Sequence, residues 1–307
     1  MWPELPYAAW RDTLQTVHLW AQIVGKIRVT LTPWLNHSWH VPFYVTARGI
    51  GTSPMPFDTE YLEIDFDFVA HRLTARTSRS DEGGFALTPM SVANFYNRVF
   101  AMLRGLSVAV AIDDLPSEMV GVPRYSQDHA HASYDAASVH NFWRALLQAD
   151  RVFKLFRSGF LGKASPVHFF WGSFDLAATR FSGHGAPKHP GGVPGLPDAI
   201  ACEAYSHEES SVGFWPGSDS FPHPAFYSYA YPEPAGYRAY KVTAAAHFDA
   251  TLGEFILPYE AVRTAADPDA LLLDFLTTTY AAAADCGGWD RAALDCAIGV
   301  PGKVRPL

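Results

Sequence analysis

The sequence predicts an α+β fold, with antiparallel sheets flanked by helices and an element order that suggests two diverged α-β-β-β-α halves in one compact unit. Three observations carry this. Apolar residues recur at helical spacing in four long runs, and strand-like runs of period two are grouped between them. Turn signals rich in glycine and proline separate the strand-like runs. The composition, 49% hydrophobic and 18% charged over 307 residues, is that of a globular chain with a sizeable core.

The elements follow in order. Residues 7–24 form a rough helical stripe through Leu14, Val17, Ala21 and Val24, and Gly25 reads as its stop. Ile27 to Leu31 alternates as a strand, and Trp39 to Arg48 as another, demoted toward an edge by Pro42. Tyr61 to Val69 is the clearest strand. Leu62, Ile64, Phe66 and Phe68 share one face, and Glu63, Asp65 and Asp67 share the other. Leu73–Thr77 and Phe85–Leu87 complete a meander with Gly83-Gly84 as a turn. Ser91 to Leu103 is an amphipathic helix, and Ser107 to Ile112 a short strand. Ser133 or Asp135 caps the strongest helix, whose aromatic stripe is core packing. Then come a strand from Val167 to Arg180, a Gly/Pro-rich loop from Ser182 to Pro197, strands at 201–212, 226–231 and 255–257, and a last helix from about Asp267 to Asp285.

These elements divide the chain into an N-terminal half (1–112), a connecting loop (113–134) and a C-terminal half (135–307) that carries most of the candidate site. Gly25-Lys26 and Gly162-Lys163 precede the two strand sets, and Trp39 and Trp171 each stand nine residues before an arginine, Arg48 and Arg180. Both echoes point to an internal repeat.

Composition also excludes. A net charge of -8 with no basic stretch argues against nucleic-acid binding. No run approaches the roughly 18 apolar residues of a membrane span. Residues 1–6 lack the basic and apolar regions of a signal peptide. Cys202, Cys286 and Cys296 are too few and too scattered for a disulfide framework. Together these indicate a cytoplasmic protein.

The candidate chemistry lies between residues 165 and 215. Read as a strand, the segment around Glu203, Tyr205, His207 and Glu209 puts all four on one face. His207 with Glu203, and His168 from the preceding strand, supply the nitrogen and carboxylate donors that suit Zn or non-haem Fe. His37 and His40, in Asn36-His37-Ser38-Trp39-His40, would complete or replace a ligand. Arg48 and Arg180 are candidates for a substrate carboxylate. Trp171, Phe214 and Trp215 could wall an aromatic slot, and Tyr227, Tyr229 and Tyr231 form a ladder on one strand face. Glu209, Tyr205 and Asp175 are the candidate proton-transfer groups. The nucleotide-binding glycine fingerprints, the nucleophile elbow, C-x-x-C and H-E-x-x-H are all absent.

Asn36-His37-Ser38-Trp39-His40, the run Ser165 to Gly183, Glu203-Ala204-Tyr205-Ser206-His207-Glu208 and Ala225-Phe226-Tyr227 are similar to a bacterial family catalogued as a domain of unknown function. The resemblance covers roughly residues 2 to 295. It implies a soluble, stand-alone bacterial protein and brings no activity, cofactor or site residue with it.

The resulting expectation is a metal-dependent enzyme, with Fe or Zn, acting on a small organic molecule and leaning to oxidation over hydrolysis. The alternative is a non-catalytic protein that binds haem or another planar ligand in an aromatic pocket. Either reading calls for a small-molecule partner.

Overall fold

The structure is a computed structural model that describes residues 1–119, 121–193 and 195–305. Two antiparallel sheets of six strands each, with helices packed on them, make an α+β protein. Helix α1 (Tyr7–Leu31) opens the chain. The first sheet follows as β1 (Tyr44–Val45), β2 (Gly49–Gly51), β3 (Met55–Phe57), β4 (Glu60–Asp67), β5 (Arg72–Thr77) and β6 (Glu82–Ala86). Its order is β1-β2-β4-β5-β6, with β3 also paired to β4. Helices α2 (Val92–Gly105) and α3 (Ala136–Ser158) come next.

The second sheet comprises β7 (His168–Phe170), β8 (Asp175–Gly185), β9 (His207–Trp215), β10 (Ala225–Tyr231), β11 (His247–Asp249) and β12 (Glu254–Pro258). Helix α4 (Asp198–Ala204) lies between β8 and β9. Helices α5 (Tyr259–Arg263), α6 (Pro268–Cys286) and α7 (Arg291–Leu294) finish the chain. This sheet runs β11-β12-β10-β9-β8-β7. Reciprocal backbone hydrogen bonds between Phe43 and Phe169, at 2.7 and 2.8 Å, join its β7 edge to the chain entering the first sheet. Buried residues from both parts form one cluster, from Trp20 and Phe66 to Phe153, Phe226 and Tyr280.

Local sequence explains most of these elements. The side chains of Ser91, Asp135 and Asp267 cap α2, α3 and α6 by accepting from the third amide onward, each cap being worth about 1 kcal/mol. On β4 the apolar face is buried, and Glu63, Asp65 and Asp67 line the other. Asp67 accepts from Arg48 at 2.5 Å and Asp65 from Arg76 at 3.0 Å, so two of the three acids on that face are paired with arginines of the same part of the chain.

Several elements depart from the sequence reading. Helix α1 does not stop at Gly25 but absorbs the expected strand 27–31. A Cβ at Gly25 would overlap the Trp171 indole, so this glycine permits close packing in a helix interior rather than ending the helix. Gly83 and Gly84 lie inside β6, and the turn falls at 78–81 instead. No strand forms at 107–112. The expected strand 167–180 is broken by a turn at 171–174, where Phe174 takes a positive φ of 62°. Residues 198–204 are helical, so the expected strand at 201–212 begins only at His207. Each six-stranded sheet is preceded and followed by helices, but α4 interrupts the second set and the two sheets have different strand orders.

Candidate functional site

The second sheet has two unlike faces. Leu176, Ala178 and Arg180 of β8 point toward α3 and α6, in the same layer as Phe214 and Phe226. The alternate residues, Asp175, Ala177 and Thr179 of β8, Ser211 of β9, and Tyr227 and Tyr229 of β10, floor a cavity of about 510 Å3. A second cavity of about 630 Å3 continues from it, and Glu118, Asp175, Tyr205, Tyr227 and Tyr229 border both. The two form one trough. Its roof is the crossing of two loops, where the Glu118 amide donates to the Gly195 carbonyl at 3.1 Å.

The center of the trough is a set of carboxyls and tyrosines. Asp175 is buried, at 5% exposure. Its carboxylate accepts from the Ser173 and Tyr227 hydroxyls, yet burial still holds its pKa above the usual aspartate range. Tyr227 reaches Asp175 across Gly213, because its ring fills the space a Gly213 side chain would take. Tyr229 stacks on Tyr227 with centroids 6.1 Å apart and shares a hydroxyl–hydroxyl contact of 3.2 Å with Tyr205.

Glu118 faces this group from the roof. It sits in the left-handed region at φ 57°, and its carboxyl packs against Gly172, where a Cβ would overlap it. Helix α1 fixes the loop that carries it. The buried Gln22 amide donates to the Ser117 carbonyl and accepts from the Ser117 amide, both at 2.8 Å, and accepts from the Tyr125 hydroxyl at 2.9 Å. Burial, then the nearby Asp175, pushes Glu118 up to about 7. Its carboxyl makes no hydrogen bond among the described residues, whereas that of Asp175 is doubly held. Burial likewise raises Glu254, on β12, to about 7, and Glu209 to about 8, the latter opposed by Lys163.

The expected metal ligands do not converge. Glu203 lies on α4, not on a strand with His207, and its carboxylate accepts from the Trp34 indole. The Nδ1 of His37 donates to the Ala204 carbonyl at 2.7 Å, and its Nε2 accepts from Lys163 at 2.6 Å, so both nitrogens are committed. His207 lies 5.5 Å from the His37 ring, with Nδ1 on the Ser206 hydroxyl at 3.0 Å. His40 and His168 line the first cavity, each with one buried nitrogen unpartnered, Nε2 of His40 and Nδ1 of His168. Among the described residues no three His, Cys, Asp or Glu side chains group so as to hold a metal ion. The donor set therefore does not fit the Fe or Zn center that spacing suggested.

Neither arginine reaches the trough. Arg180 is on the opposite face, its guanidinium 3.6 Å from the Phe156 ring center and 4.4 Å from that of Tyr280, donating to the Phe156 carbonyl. Arg48 is exposed and paired with Asp67. Of the expected aromatic wall, Phe214 is core, Trp171 lines the first cavity with its indole donating to Val41 at 2.9 Å, and Trp215 lines the second. The proton-transfer candidates Asp175, Tyr205 and Glu209 do line the trough. Glu118, Glu254 and Gln22 carried no sequence signal beyond a polar residue in the apolar stripe of α1, which marks Gln22.

Fold and site together define an α+β protein with a trough of carboxyls and tyrosines on one face of its second sheet. The chain belongs to DUF5996, a family of unknown function, whose model matches residues 2–296. No curated protein and no solved structure matches it. No helix among the described residues is long and apolar enough to cross a membrane.

Proposed function

We propose that this protein is an enzyme that performs metal-free general acid–base chemistry on a small organic molecule held in the trough. The observation that carries the reading is the pairing of Glu118 with Asp175. Two carboxyls from separate segments border one cavity in unlike environments, one free and poised near neutrality, the other held by two hydroxyls. Environments that separate two carboxyls in this way assign them different roles. Glu118 has the pKa that a proton donor and acceptor at neutral pH needs. Asp175, with Tyr227, orients the reacting group. Tyr205 and Tyr229, joined through their hydroxyls, form the wall beside them.

The test is to incubate the protein with a metabolite extract in the presence of EDTA and follow the mixture by mass spectrometry. One species should be consumed by the parent and by neither Glu118→Gln nor Asp175→Asn. A species that co-purifies unchanged with the parent and is never consumed would make this a binding protein. Consumption that EDTA abolishes would return the reaction to a metal.

A further inference from the structure

We propose that the trough selects an organic cation, an amine or quaternary ammonium group on an apolar body. The inference rests on the acid–base reading of the same site and names its substrate class. The charges around the trough do not balance. Glu118, Asp175 and Glu209 line the first cavity, and Glu254 lines the second. Lys26 is the only lysine or arginine lining either cavity among the described residues. Its ammonium is already engaged at the rim, 2.5 Å from the Leu115 carbonyl and 3.4 Å from Asp113. Lys163 stands behind the lining against Glu209, so an anionic substrate would meet Glu118, Asp175 and Glu254 with no free cation to offset them. A cation entering the trough supplies the missing charge, and the faces of Tyr227 and Tyr229 add a cation–π contribution.

A second observation points to a ligand independently of the acids. His168 is 1% exposed, lines the first cavity and has an unpartnered Nδ1. Its strand register sets it opposite Ala177 and diagonal to Asp175, about 7 Å across the β7–β8 pair. Burial holds this imidazole neutral, its pKa lowered to about 3. It therefore adds no positive charge beside the carboxyls, and its Nδ1 is left unsatisfied by any protein group among the described residues. A buried orphan of this kind is costly unless something occupies the site.

The groups facing Glu118 set the pH behavior. Lys26 and His18 come from α1, and Asp175 from β8. Tyr205 follows α4, Tyr227 and Tyr229 are on β10, and Glu254 is on β12. His18 is neutral, its pKa lowered to about 4 by burial. No group in this set supplies a free positive charge, so binding a cation draws Glu118 toward its ionized form. Below its pKa of about 7 the proton must leave as the cation arrives.

The experiment is titration calorimetry of the full chain with three matched probes, 2-phenylethylamine, 2-phenylethanol and phenylacetate, from pH 6 to 8.5. We expect the amine to bind at least tenfold more tightly than the alcohol at pH 8, and phenylacetate to bind most weakly. Amine affinity should fall severalfold from pH 8 to pH 6. The binding heat at pH 7 should depend on the buffer's ionization enthalpy, reporting proton release. Glu118→Gln should cut the release by at least half, Glu254 and Glu209 being the other protonated carboxyls in the lining, and remove most of the amine preference. His168→Phe, which keeps the carboxyls, should weaken amine and alcohol alike. Equal binding of amine and alcohol, a preference for phenylacetate, or no binding of any probe at millimolar concentration would overturn the proposal. Selective amine binding with proton release, but no species consumed from the metabolite extract, would keep the cation site and sink the enzyme. Consumption of a neutral or anionic species would do the reverse.

Discussion

Replacing Glu209 by glutamine should stabilize the protein, and increasingly so as pH rises. Glu209 lies on β9 at 5% exposure, and burial raises its pKa from 4.5 to about 8. In the unfolded chain the carboxyl ionizes near 4.5, whereas in the native state it keeps its proton until about 8. Between those values the native state binds more protons than the unfolded one, so stability falls as pH rises. Below about 4.5 both states are protonated and nothing is lost. Above about 8 the whole difference is lost. The interval from 4.5 to about 8, at about 1.4 kcal/mol per pH unit, sets a ceiling of about 5 kcal/mol. Lys163 attracts the ionized form, and local relaxation lowers the cost further, so about 2–3 kcal/mol is the working expectation. The neutral amide of the Glu209→Gln variant carries none of this cost. Urea unfolding of parent and Glu209→Gln at pH 5, 6.5, 8 and 9 measures it. The two should be within about 0.5 kcal/mol of each other at pH 5 and diverge by pH 9 in favor of the variant. Parallel curves, or a variant that loses stability at high pH, would show that native Glu209 is ionized throughout and would refute the reasoning.

Gly213→Ala should displace Tyr227 from Asp175, costing about 1–3 kcal/mol in a urea melt and weakening 2-phenylethylamine binding more than tenfold; an unchanged affinity would mean that the Tyr227–Asp175 contact does not shape the trough. Arg180→Ala should destabilize by about 3 kcal/mol, because it opens a hole among Phe156, Phe160 and Tyr280, yet leave amine affinity per folded molecule unchanged; a selective loss of binding would put Arg180 back in the site. Protein expressed without a His tag should carry no near-stoichiometric metal, and EDTA should not shift its melting temperature; zinc or iron that disappears in His168→Ala would restore the metal center.

Much of the fold could be read directly from the residues. The period-two pattern of Tyr61 to Asp67 marked β4 because one face of an antiparallel sheet is buried and the other solvated. Ser91, Asp267 and the choice of Ser133 or Asp135 marked helix starts, the structure taking Asp135, because capping is a local hydrogen bond. Gly25 misled, since a helix stop and a close-packing position look alike until Trp171 is placed against it. Residues 201–204 misled for a similar reason: a short alternating run fits a strand and a single turn of helix equally well.

For the trough, the sequence by itself pointed to residues 165 to 215, and to Asp175, Tyr205 and Glu209, which line it, because charged residues among large aromatics are rare in a core strand. It also determined the α+β class, through periodicity and caps that depend only on neighbors along the chain. Tertiary structure alone decided which face each residue took. It turned Arg180 into the helix layer, committed His37 to Ala204 and Lys163, and left His168, which borders the cavity, with a buried unpartnered Nδ1. It alone brought Glu118 over Asp175, from a loop 57 residues earlier in the numbering, through the hold of Gln22 on Ser117. Charge balance and pKa depend on what burial and distant segments place around a carboxyl, and no local pattern encodes that.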